Sequence, residues 1–391
     1  MKKVTVGIVG SGFAAAIHAE SYRQICGLDV NVKAVASVDP KVGDFAKHHG
    51  IPVATADYQD LLKDKEIDIV DIVTPPALHY PMILESLKAG KHVICEKPLL
   101  GYFGLPEDKT PIGFNVSKQK MYDWSMEKVQ ELRDAVQKSG CLFMYAENFV
   151  YAPAVQRSVE MIRARKSTCM LIRAEECHSG SHAPHAGRWD QTGGGVLMRM
   201  ACHPLTGALY VKYEDARARG VNVRPVRVMA QTNRVVERME KEKIDLTHIA
   251  ARPYDVEDWA KMIVTFSDGT VADICCSDFS LGGTINALQM YTNNCVLFAN
   301  MNPNNGTMGF FPDDKGLENV YIAEKVETKT GYQYIYTTEN IEKGYVGELQ
   351  DFAECAAHGR DPVCGIDLAA DTVQLIYAGY ISAEEGRAVE L

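Results

Sequence analysis

A lysine at the end of an apolar run is the first residue in this chain whose position suggests chemistry. Residues 93–99 read Val-Ile-Cys-Glu-Lys-Pro-Leu, so a buried strand runs into a carboxylate, an ammonium and a proline that stops the strand ladder. Open α/β sheets bind their ligands beyond the carboxyl ends of the strands. We therefore predict that Lys97 and Glu96 lie at a ligand site. The alternative is an exposed lysine that only pairs with Glu96.

A glycine turn near the amino terminus matches a dinucleotide-binding pattern. The β-branched run 4–9 is followed by Gly-Ser-Gly-Phe-Ala-Ala and a helical segment, which fits strand, turn and helix. Gly10 permits the tight bend, Gly12 lets the main chain approach a pyrophosphate, and free N–H groups at the helix start bind its oxygens. We predict cofactor contacts at Gly10, Gly12, Phe13 and Ala14.

The end of the second predicted strand, 32–38, bears on the choice of cofactor. Dinucleotide folds usually place an acid there for the ribose 2′-hydroxyl. Ser37 occupies that position, and Asp39 lies two residues later on the same strand face. A contact between Asp39 and the ribose would favour NAD, whereas a contact from Ser37 would leave NADP possible. In a third interpretation, Asp39 only starts a turn.

The ends of later strands add four residues to the predicted cofactor site, namely Thr74, Pro75, His79 and Asn148.

His203 is the candidate proton carrier. Oxidation of a secondary alcohol by a nicotinamide needs a group that receives the hydroxyl proton, and imidazole titrates near neutral pH. Arg199 lies four residues earlier in a predicted helix over 196–213, so both side chains would share one helix face. Lys97 would hold the substrate oxygen, with the pKa of its ammonium lowered by burial. A packed helix-face histidine is the alternative.

A polar loop over 177–192 holds the candidate substrate contacts. Its histidines are separated by Gly, Ser and Pro and lack zinc-site spacing, so we predict no metal. A loop that covers a carbohydrate is the simpler interpretation, with Trp189 stacked on a sugar face. Packing of Trp189 in the core is an equal alternative.

The order of elements predicts two domains. Strands alternate with helices over residues 1–150, which indicates a parallel sheet with right-handed crossovers and an α/β domain. The segment 101–120 interrupts this pattern, and its length suggests a flap or an interface arm. Over 151–391 the pattern changes to hairpins, such as 259–266 with 270–277, followed by two helices, which is typical of an α+β domain.

Composition narrows the class of protein. The 391 residues carry 41 Lys and Arg against 51 Asp and Glu, a net charge of −10, without a basic run, so nucleic acids and anionic membranes are poor partners. No run of eighteen apolar residues predicts a membrane span. The eleven cysteines show no Cys-x-x-Cys pair, which favours reduced, mostly buried thiols and a cytoplasmic protein.

With these motifs placed, the chain resembles the Gfo/Idh/MocA oxidoreductases from end to end. The resemblance rests on VGIVGSGFAAAIHAE, TPPALHYPMILESLKAGKHVICEKPL, AENFVYAPAV and GGGVLMRMACH. It implies a Rossmann domain followed by a domain with a large open-faced mixed sheet, often used for homo-oligomerisation, and NAD(P)-dependent chemistry on sugars or inositols. Lys97 matches the lysine of the EKP motif and His203 the histidine of D-x-x-x-H, in which Arg199 replaces the aspartate.

The resemblance leaves three hypotheses for activity. The first is a dehydrogenase for a sugar, glycoside or polyol, with hydroxyls held by Tyr151, His182, His185 and Arg199. The 101–120 insertion, together with HSGSHAPH and RMACHP, resembles a branch that oxidises the 3-hydroxyl of a glucosyl unit. The second is an NAD-dependent glycosidase that oxidises its sugar transiently and eliminates the aglycone. The third is a dinucleotide-binding regulator without catalysis, which the presence of both Lys97 and His203 disfavours.

Overall fold

The computed structural model describes residues 1–302 and 307–391. Its first sheet has six parallel strands in the order β3-β2-β1-β4-β5-β6, which is the strand order of dinucleotide-binding Rossmann domains and confirms the predicted class. The strands are β1 (Lys3–Val9), β2 (Asp29–Ala36), β3 (Val53–Thr55), β4 (Ile69–Ile72), β5 (His92–Glu96) and β6 (Phe143–Ala146). The helices of this part are α1 (Phe13–Tyr22), α2 (Val42–His49), α3 (Gln59–Lys63), α4 (His79–Lys88), α5 (Ile112–Asn115) and α6 (Lys118–Ser139).

The second sheet has seven strands and is mixed. Its order is β12-β11-β7-β10-β9-β8-β15, with β7 and β10 parallel and the other neighbours antiparallel. The strands are β7 (Cys169–Cys177), β8 (Pro225–Asn233), β9 (Trp259–Phe266), β10 (Val271–Ser277), β11 (Ile285–Thr292), β12 (Val296–Asn300) and β15 (Val389–Glu390), and a separate hairpin is formed by β13 (Met308–Phe311) and β14 (Gly331–Tyr334). The helices are α7 (Asn148–Tyr151), α8 (Pro153–Arg165), α9 (Trp189–Thr192), α10 (Val196–Arg199), α11 (Cys202–Arg219), α12 (Val235–Lys241), α13 (Glu339–Glu342), α14 (Tyr345–His358) and α15 (Ile366–Glu385).

One face of the second sheet is covered and the other is open. Along β9, Met262 and Val264 are fully buried while Ile263 is 39% exposed, which is the alternation expected of a strand with one solvated face. Met229 of β8 pairs with Ile263 and is 55% exposed. The open-faced mixed sheet implied by the resemblance is therefore present.

Several elements differ from the sequence predictions. The predicted helix over 196–213 is two helices, α10 and α11, separated at residues 200–201. Strands β3, β8 and β13 were not predicted, because each is short or lacks a clean alternation. The domain boundary predicted after residue 150 falls inside α7.

The two domains meet at the carboxyl ends of the strands of the first sheet. The first sheet brings Gly10, Thr74 and Lys97 to one edge, since β1, β4 and β5 are parallel neighbours. The chain also returns late to the first domain: the Tyr145 N–H of β6 donates to the Cys364 carbonyl at 2.9 Å. Among the described residues, no helix is long and apolar enough to cross a bilayer.

Candidate active site

The glycine turn is built for close approach of a ligand to the main chain. Gly10 has φ +122°, and a Cβ there would lie 2.5 Å from the Val73 carbonyl oxygen, so a side chain is excluded by conformation and by space. A Cβ on Gly12 would meet nothing within 4 Å. Gly12 therefore leaves open space at the amino end of α1, where main-chain N–H groups are free to bind phosphate oxygens.

A cavity of about 390 Å³ lies beside this turn, against the end of β2. Ser37 is fixed in it: the Ser11 hydroxyl donates to Ser37 Oγ at 2.8 Å, and the Asp39 N–H donates to the same oxygen at 3.2 Å. Six predicted cofactor residues line this cavity, namely Gly10, Gly12, Ser37, Asp39, Thr74 and Pro75.

The position of Asp39 corrects one prediction. Strand β2 ends at Ala36, so neither Ser37 nor Asp39 lies on a strand face. Asp39 is exposed, and its Oδ1 accepts the Lys41 N–H at 2.8 Å, which fits the interpretation in which it starts a turn. Both residues still line the cavity.

A second cavity of about 580 Å³ continues from the first and lies between the two domains. The two cavities share the walls formed by Gly12, Thr74 and Pro75. The sequence-predicted residues that line the larger cavity are Gly12, Phe13, Ala14, Thr74, Pro75, Glu96, Lys97, Asn148, His185, Arg199 and His203. The structure therefore brings the dinucleotide turn, the lysine and the histidine into one cleft.

Lys97 is held by the break between α10 and α11. In a continuous helix the Arg199 carbonyl would accept the His203 N–H. Here the His203 N–H donates instead to Met200 O at 3.0 Å, and the Lys97 ammonium donates to the Arg199 carbonyl at 3.0 Å. The broken helix thus supplies a free carbonyl that aims the ammonium into the cleft.

The charge state of Lys97 differs from the prediction. Burial lowers the pKa of the ammonium, but the nearby carboxylates of Glu176, Glu96 and Glu147 outweigh burial and raise the pKa above its ordinary value. Lys97 is therefore a cation at neutral pH. It can donate hydrogen bonds to a substrate oxygen and stabilise negative charge there, but it is not a neutral base.

His203 forms a hydrogen-bonded pair with a buried carboxylate. Its Nδ1 contacts Glu147 Oε1, and its ring stacks on Phe149 with centroids 5.1 Å apart. A carboxylate only accepts, so Nδ1 carries the proton and Nε2 presents its lone pair to the cleft. Nε2 lies 4.0 Å from Glu176 Oε2. This arrangement suits His203 to receive a proton from a substrate hydroxyl.

Polar side chains on two paired strands face the cleft beyond His203. Asn286 is the register partner of Glu176, and both His178 and Thr284 lie two residues further along the same faces. Glu176 Oε2, Thr284 Oγ1 and Asn286 Oδ1 are buried without a hydrogen-bond partner. Unsatisfied buried acceptors of this kind are expected where a polar ligand completes the hydrogen bonds.

His178 adds a donor to this set. The Gly180 N–H donates to His178 Nδ1 at 2.9 Å, so Nε2 carries the proton. Burial lowers the pKa of His178 to about 4, although Asp278 opposes the shift. His178 is therefore a neutral donor at physiological pH.

The charge of Arg199 is not free in the cleft. Its guanidinium pairs with Asp278, whose side chain is 6% exposed. Arg199 lines the cleft as predicted, but its cation is neutralised by this pair. The carboxylate nearest to His203 Nε2 is supplied by Glu176 of β7, which the sequence prediction missed.

Four predicted site residues line neither of these two cavities. His79 is buried with its ring nitrogens 2.8 and 2.9 Å from the Pro98 and Thr74 carbonyl oxygens, so it supports the cofactor wall from behind. The Tyr151 hydroxyl donates to Asp351 at 2.9 Å in the core. His182 lines a separate cavity of about 290 Å³.

Trp189 is the fourth of these residues. It is 2% exposed, its ring packs against Tyr380 at a centroid distance of 4.8 Å, and its N–H donates to the Tyr102 carbonyl. Trp189 is therefore packed in the core, and its ring does not face the cleft where a sugar would stack.

The predicted flap over 101–120 does not line the cleft. It is anchored at its start, where Tyr102 is 1% exposed and its N–H donates to the Tyr377 hydroxyl of α15 at 2.5 Å. Its short helix α5 is tied to Asp255, which accepts the Gly113 N–H at 3.1 Å. The insertion thus packs against the second domain.

Comparison with known proteins decides the family. The model for the oxidoreductase family with an NAD-binding Rossmann fold matches residues 4–102, and the model for the GFO/IDH/MocA C-terminal domain matches residues 168–296, which together exceed half of the chain. The chain belongs to the GFO/IDH/MocA oxidoreductase family. Its resemblance to that family is thereby confirmed.

Individual relatives of this GFO/IDH/MocA protein are distant. Levoglucosan dehydrogenase of Pseudarthrobacter phenanthrenivorans is 24% identical over 357 residues, which cover 86% of this chain and 81% of that protein. The oxidoreductase YrbE of Bacillus subtilis is 26% identical, but the match covers 54% of each chain, about half the length of that relative. The crystal structure of GenD2 from gentamicin A biosynthesis in complex with NAD has a TM-score of 0.79 at 22% identity, covering 100% of this chain and 97% of that one.

The family's cofactor fits the residues present. The open cradle at Gly12, the adjoining cavity with Ser37 and Asp39, and the passage to Lys97 form one continuous path. Among the described residues that line the 390 Å³ cavity, none is a lysine or an arginine that could pair with a 2′-phosphate. This wall, together with the NAD-binding family model, favours NAD over NADP.

The histidine-rich loop does not assemble a metal centre. Among the residues that the structure describes, one group places three possible ligand atoms within 4.8 Å of one another: Glu147, Cys202 and His203. Within this group His203 and Glu147 are hydrogen-bonded to each other. Burial raises the pKa of the Cys202 thiol, so it is not a thiolate ligand at neutral pH.

Glu147 and Glu176 were missed for different reasons. Glu147 directly follows β6, at the same sheet edge as Lys97, so the rule that located Lys97 could have located it as well. Glu176 and Asn286 meet only through the pairing of β7 with β11, which no local pattern encodes.

Proposed function

We propose that this protein is an NAD-dependent dehydrogenase that oxidises a secondary hydroxyl of a sugar, glycoside or polyol to a ketone. The observation that supports it is the convergence of Lys97 and the Glu147–His203 pair on one cleft that continues into the dinucleotide turn. NAD, when bound, accepts a hydride from the carbinol carbon. The protein must then bind the hydroxyl and remove its proton.

Lys97 and His203 divide this task. The Lys97 ammonium donates a hydrogen bond to the substrate oxygen and stabilises the negative charge that grows there as the proton leaves. His203 Nε2 receives that proton, while Glu147 holds Nδ1–H and stabilises the resulting imidazolium. The alcohol loses a proton and a hydride, so the carbon–oxygen single bond becomes a carbonyl.

The substrate is a neutral, hydroxyl-rich ring. Glu176, Thr284 and Asn286 offer buried acceptors, and His178 offers a donor, which suits hydroxyl groups that both donate and accept. The cations of Arg199 and Lys343 are already paired, with Asp278 and Glu324 respectively, so these two side chains add little to the binding of an anionic group. Oxidation of the carbohydrate derivative levoglucosan by a relative, as its name states, agrees with this class.

For a pyranoside substrate, we propose the 3-hydroxyl as the oxidised position. The sequence of the loop 178–185 supports this by its resemblance to a branch that acts on glycosides, and the loop lines the cleft through His178 and His185. The 101–120 insertion gives no support, because it lies outside the cleft. His185 is exposed at the cleft wall and is the loop residue placed to contact a sugar or its aglycone.

The test is turnover of a panel of sugars, glycosides and inositols with NAD, followed by NADH absorbance and by NMR identification of the oxidised carbon. Ketone and NADH in equal amounts support the dehydrogenase. Release of free sugar from a glycoside without net NADH means a glycosidase with transient oxidation. Binding of NAD and sugar without either product means a regulator, and both of these outcomes overturn the proposal. Lys97→Met is the matched inactive control.

We also propose a cytoplasmic homo-oligomer, associated through the open face of the second sheet. Exposed apolar side chains lie on that face, including Met229, Ile263 and Phe298 at 55%, 39% and 66% exposure. Light scattering of the purified chain measures the oligomer, and Ile263→Glu is expected to shift it toward a monomer. A monomeric wild type would contradict this part.

A further inference from the structure

A second cluster of buried ionisable groups lies behind Glu96, and the proton transfer described above uses none of them. It consists of His18 on α1, Asp71 on β4, Glu348 on α14 and the Tyr22 hydroxyl. His18, Asp71 and Glu348 are fully buried. Ionisable groups are costly to bury, so their presence at this depth requires an explanation.

His18 faces carboxylates with both ring nitrogens. Nδ1 lies 2.9 Å from Asp71 Oδ2, and the Tyr22 hydroxyl donates to the same oxygen at 2.9 Å. On the other side, His18 Nε2 lies 3.4 Å from Glu96 Oε1, which is long for a hydrogen bond and close for an ion pair. The second oxygen of Glu96 accepts the Lys97 N–H at 2.8 Å.

The charges in this cluster balance only if His18 is protonated. Burial lowers the pKa of His18, but Asp71 and Glu96 raise it well above the ordinary value. Burial raises the pKa of Glu348, 3.9 Å from Nε2, so this carboxyl is neutral. One imidazolium between two carboxylates remains, with the Lys97 ammonium as the second cation.

We propose that His18 is a positioning residue that clamps Glu96 against the main chain of Lys97 and thereby fixes the lysine for catalysis. This inference rests on the proposed dehydrogenase function. Glu96 is held at both oxygens, by His18 on one side and by the Lys97 N–H on the other. Without the imidazolium, Glu96 would be a buried carboxylate without a cationic partner. Rotation of its side chain or uptake of a proton would then lower the free energy of the protein.

The clamp also joins the lysine to the cofactor turn. His18 belongs to α1, the helix that begins at Phe13 directly after Gly12. A displacement of α1 therefore moves His18 relative to Glu96, and with it the turn that carries Lys97. The ion pair between His18 and Glu96 thus fixes the position of the dinucleotide site relative to Lys97.

The experiment compares pH–rate profiles of wild type, His18→Gln, Glu96→Gln and the double variant, together with NAD affinity and melting temperature. Glu96 now has a pKa lowered by His18 against the effect of burial. Loss of His18 lets that pKa rise, so we expect the acidic limb of kcat/KM to move to higher pH in His18→Gln and kcat to fall by about 10- to 100-fold. In the double variant residue 96 no longer titrates, so the limb shift should vanish.

Two matched controls separate positioning from stability. Tyr22→Phe removes the other donor to Asp71 from the same helix, and Glu348→Gln replaces the neutral carboxyl beside Nε2; we expect lower stability in the first and an unchanged pH profile in both. An unmoved acidic limb in His18→Gln, or a loss of kcat no larger than in Tyr22→Phe at equal melting temperature, overturns the clamp.

A measurement without turnover distinguishes failure of the clamp from failure of the proposed function. Nitrogen NMR of the full chain labelled at histidine is expected to show one imidazolium that persists above neutral pH and that loses a proton more readily in Glu96→Gln. The signal is assigned by its absence in His18→Gln or, if that variant does not fold, by its response to Glu96→Gln. A His18 ring that is neutral at pH 7 overturns the proposal, whatever substrate the protein takes.

Discussion

The Lys97 ammonium donates to the main-chain carbonyl of Arg199 at 3.0 Å, and this bond crosses from one domain to the other. It exists because the chain leaves the helical path at residues 200–201, so the His203 N–H bonds to Met200 rather than to Arg199. The same break directs the His203 ring toward Glu147. One irregularity of the second domain therefore orients both residues to which we assign the chemistry.

Replacement of Lys97 by methionine removes the cation at similar length. We expect kcat/KM to fall by about 10²- to 10⁴-fold, because a positioned donor to the developing oxyanion is lost, with little change in NAD affinity. Lys91→Met is the matched control: Lys91 is also buried, donates to the Asp64 and Ile67 carbonyls, and lies at the opposite end of β5. It should lose stability and keep kcat. Steady-state kinetics with unchanged turnover in Lys97→Met would refute the role of the lysine.

Glu147→Gln tests the orientation of the histidine. An amide can present its NH₂ group to Nδ1 and then favours the wrong tautomer, so we expect kcat to fall by about 100-fold or more. His203→Asn should lose at least as much, and the double variant should lose no more than His203→Asn alone, since the two residues act as one unit. Additive losses in kcat would show that Glu147 acts independently of His203.

Sequence reasoning located the features that follow from local rules. Gly10, Gly12, Lys97 and His203 each lie at a strand end or helix start, and parallel strands bring such ends to one edge. Sequence reasoning failed for residues whose role depends on burial or on partners that are distant in sequence. Nothing local distinguishes Trp189 in a core from Trp189 on a sugar. The pKa of Lys97 rises because Glu147 and Glu176, both distant in sequence, add to the effect of the neighbouring Glu96. The partner of Arg199 is likewise supplied by Asp278 at the end of β10, which spacing within the helix could not reveal.

His178 predicts a loss of stability in acid. Its folded pKa is lowered to about 4, whereas the unfolded group titrates near about 6.5. Between these values the unfolded chain binds a proton that the folded chain does not, so stability falls as pH decreases through this window. Between pH 7 and pH 5 we expect wild type to lose about 2 kcal/mol of unfolding free energy that His178→Asn does not lose. Denaturant titrations measure this, and the exposed His182→Asn should behave as wild type.

Trp189→Phe separates a core residue from a sugar contact. The change removes the hydrogen bond to Tyr102 and part of the packing on Tyr380, so the melting temperature should fall while KM for the substrate stays within about twofold. His185→Ala, at the wall of the cleft, should do the reverse and raise KM at an unchanged melting temperature. A raised KM in Trp189→Phe at unchanged stability would restore the stacking interpretation.

Gly10 and Gly12 make a matched pair for cofactor binding. In Gly12→Val the side chain enters open space where the dinucleotide should lie, so we expect an unchanged melting temperature without ligand and at least a tenfold weaker NAD affinity, which is about 1.4 kcal/mol. In Gly10→Ala the new Cβ meets the Val73 carbonyl at 2.5 Å with φ at +122°, so the fold itself should lose about 1–3 kcal/mol. Calorimetric titration with NAD and thermal melts measure both. If Gly12→Val bound NAD as tightly as wild type, the cofactor would not occupy the turn, and the placement of the nicotinamide beside Lys97 would be wrong.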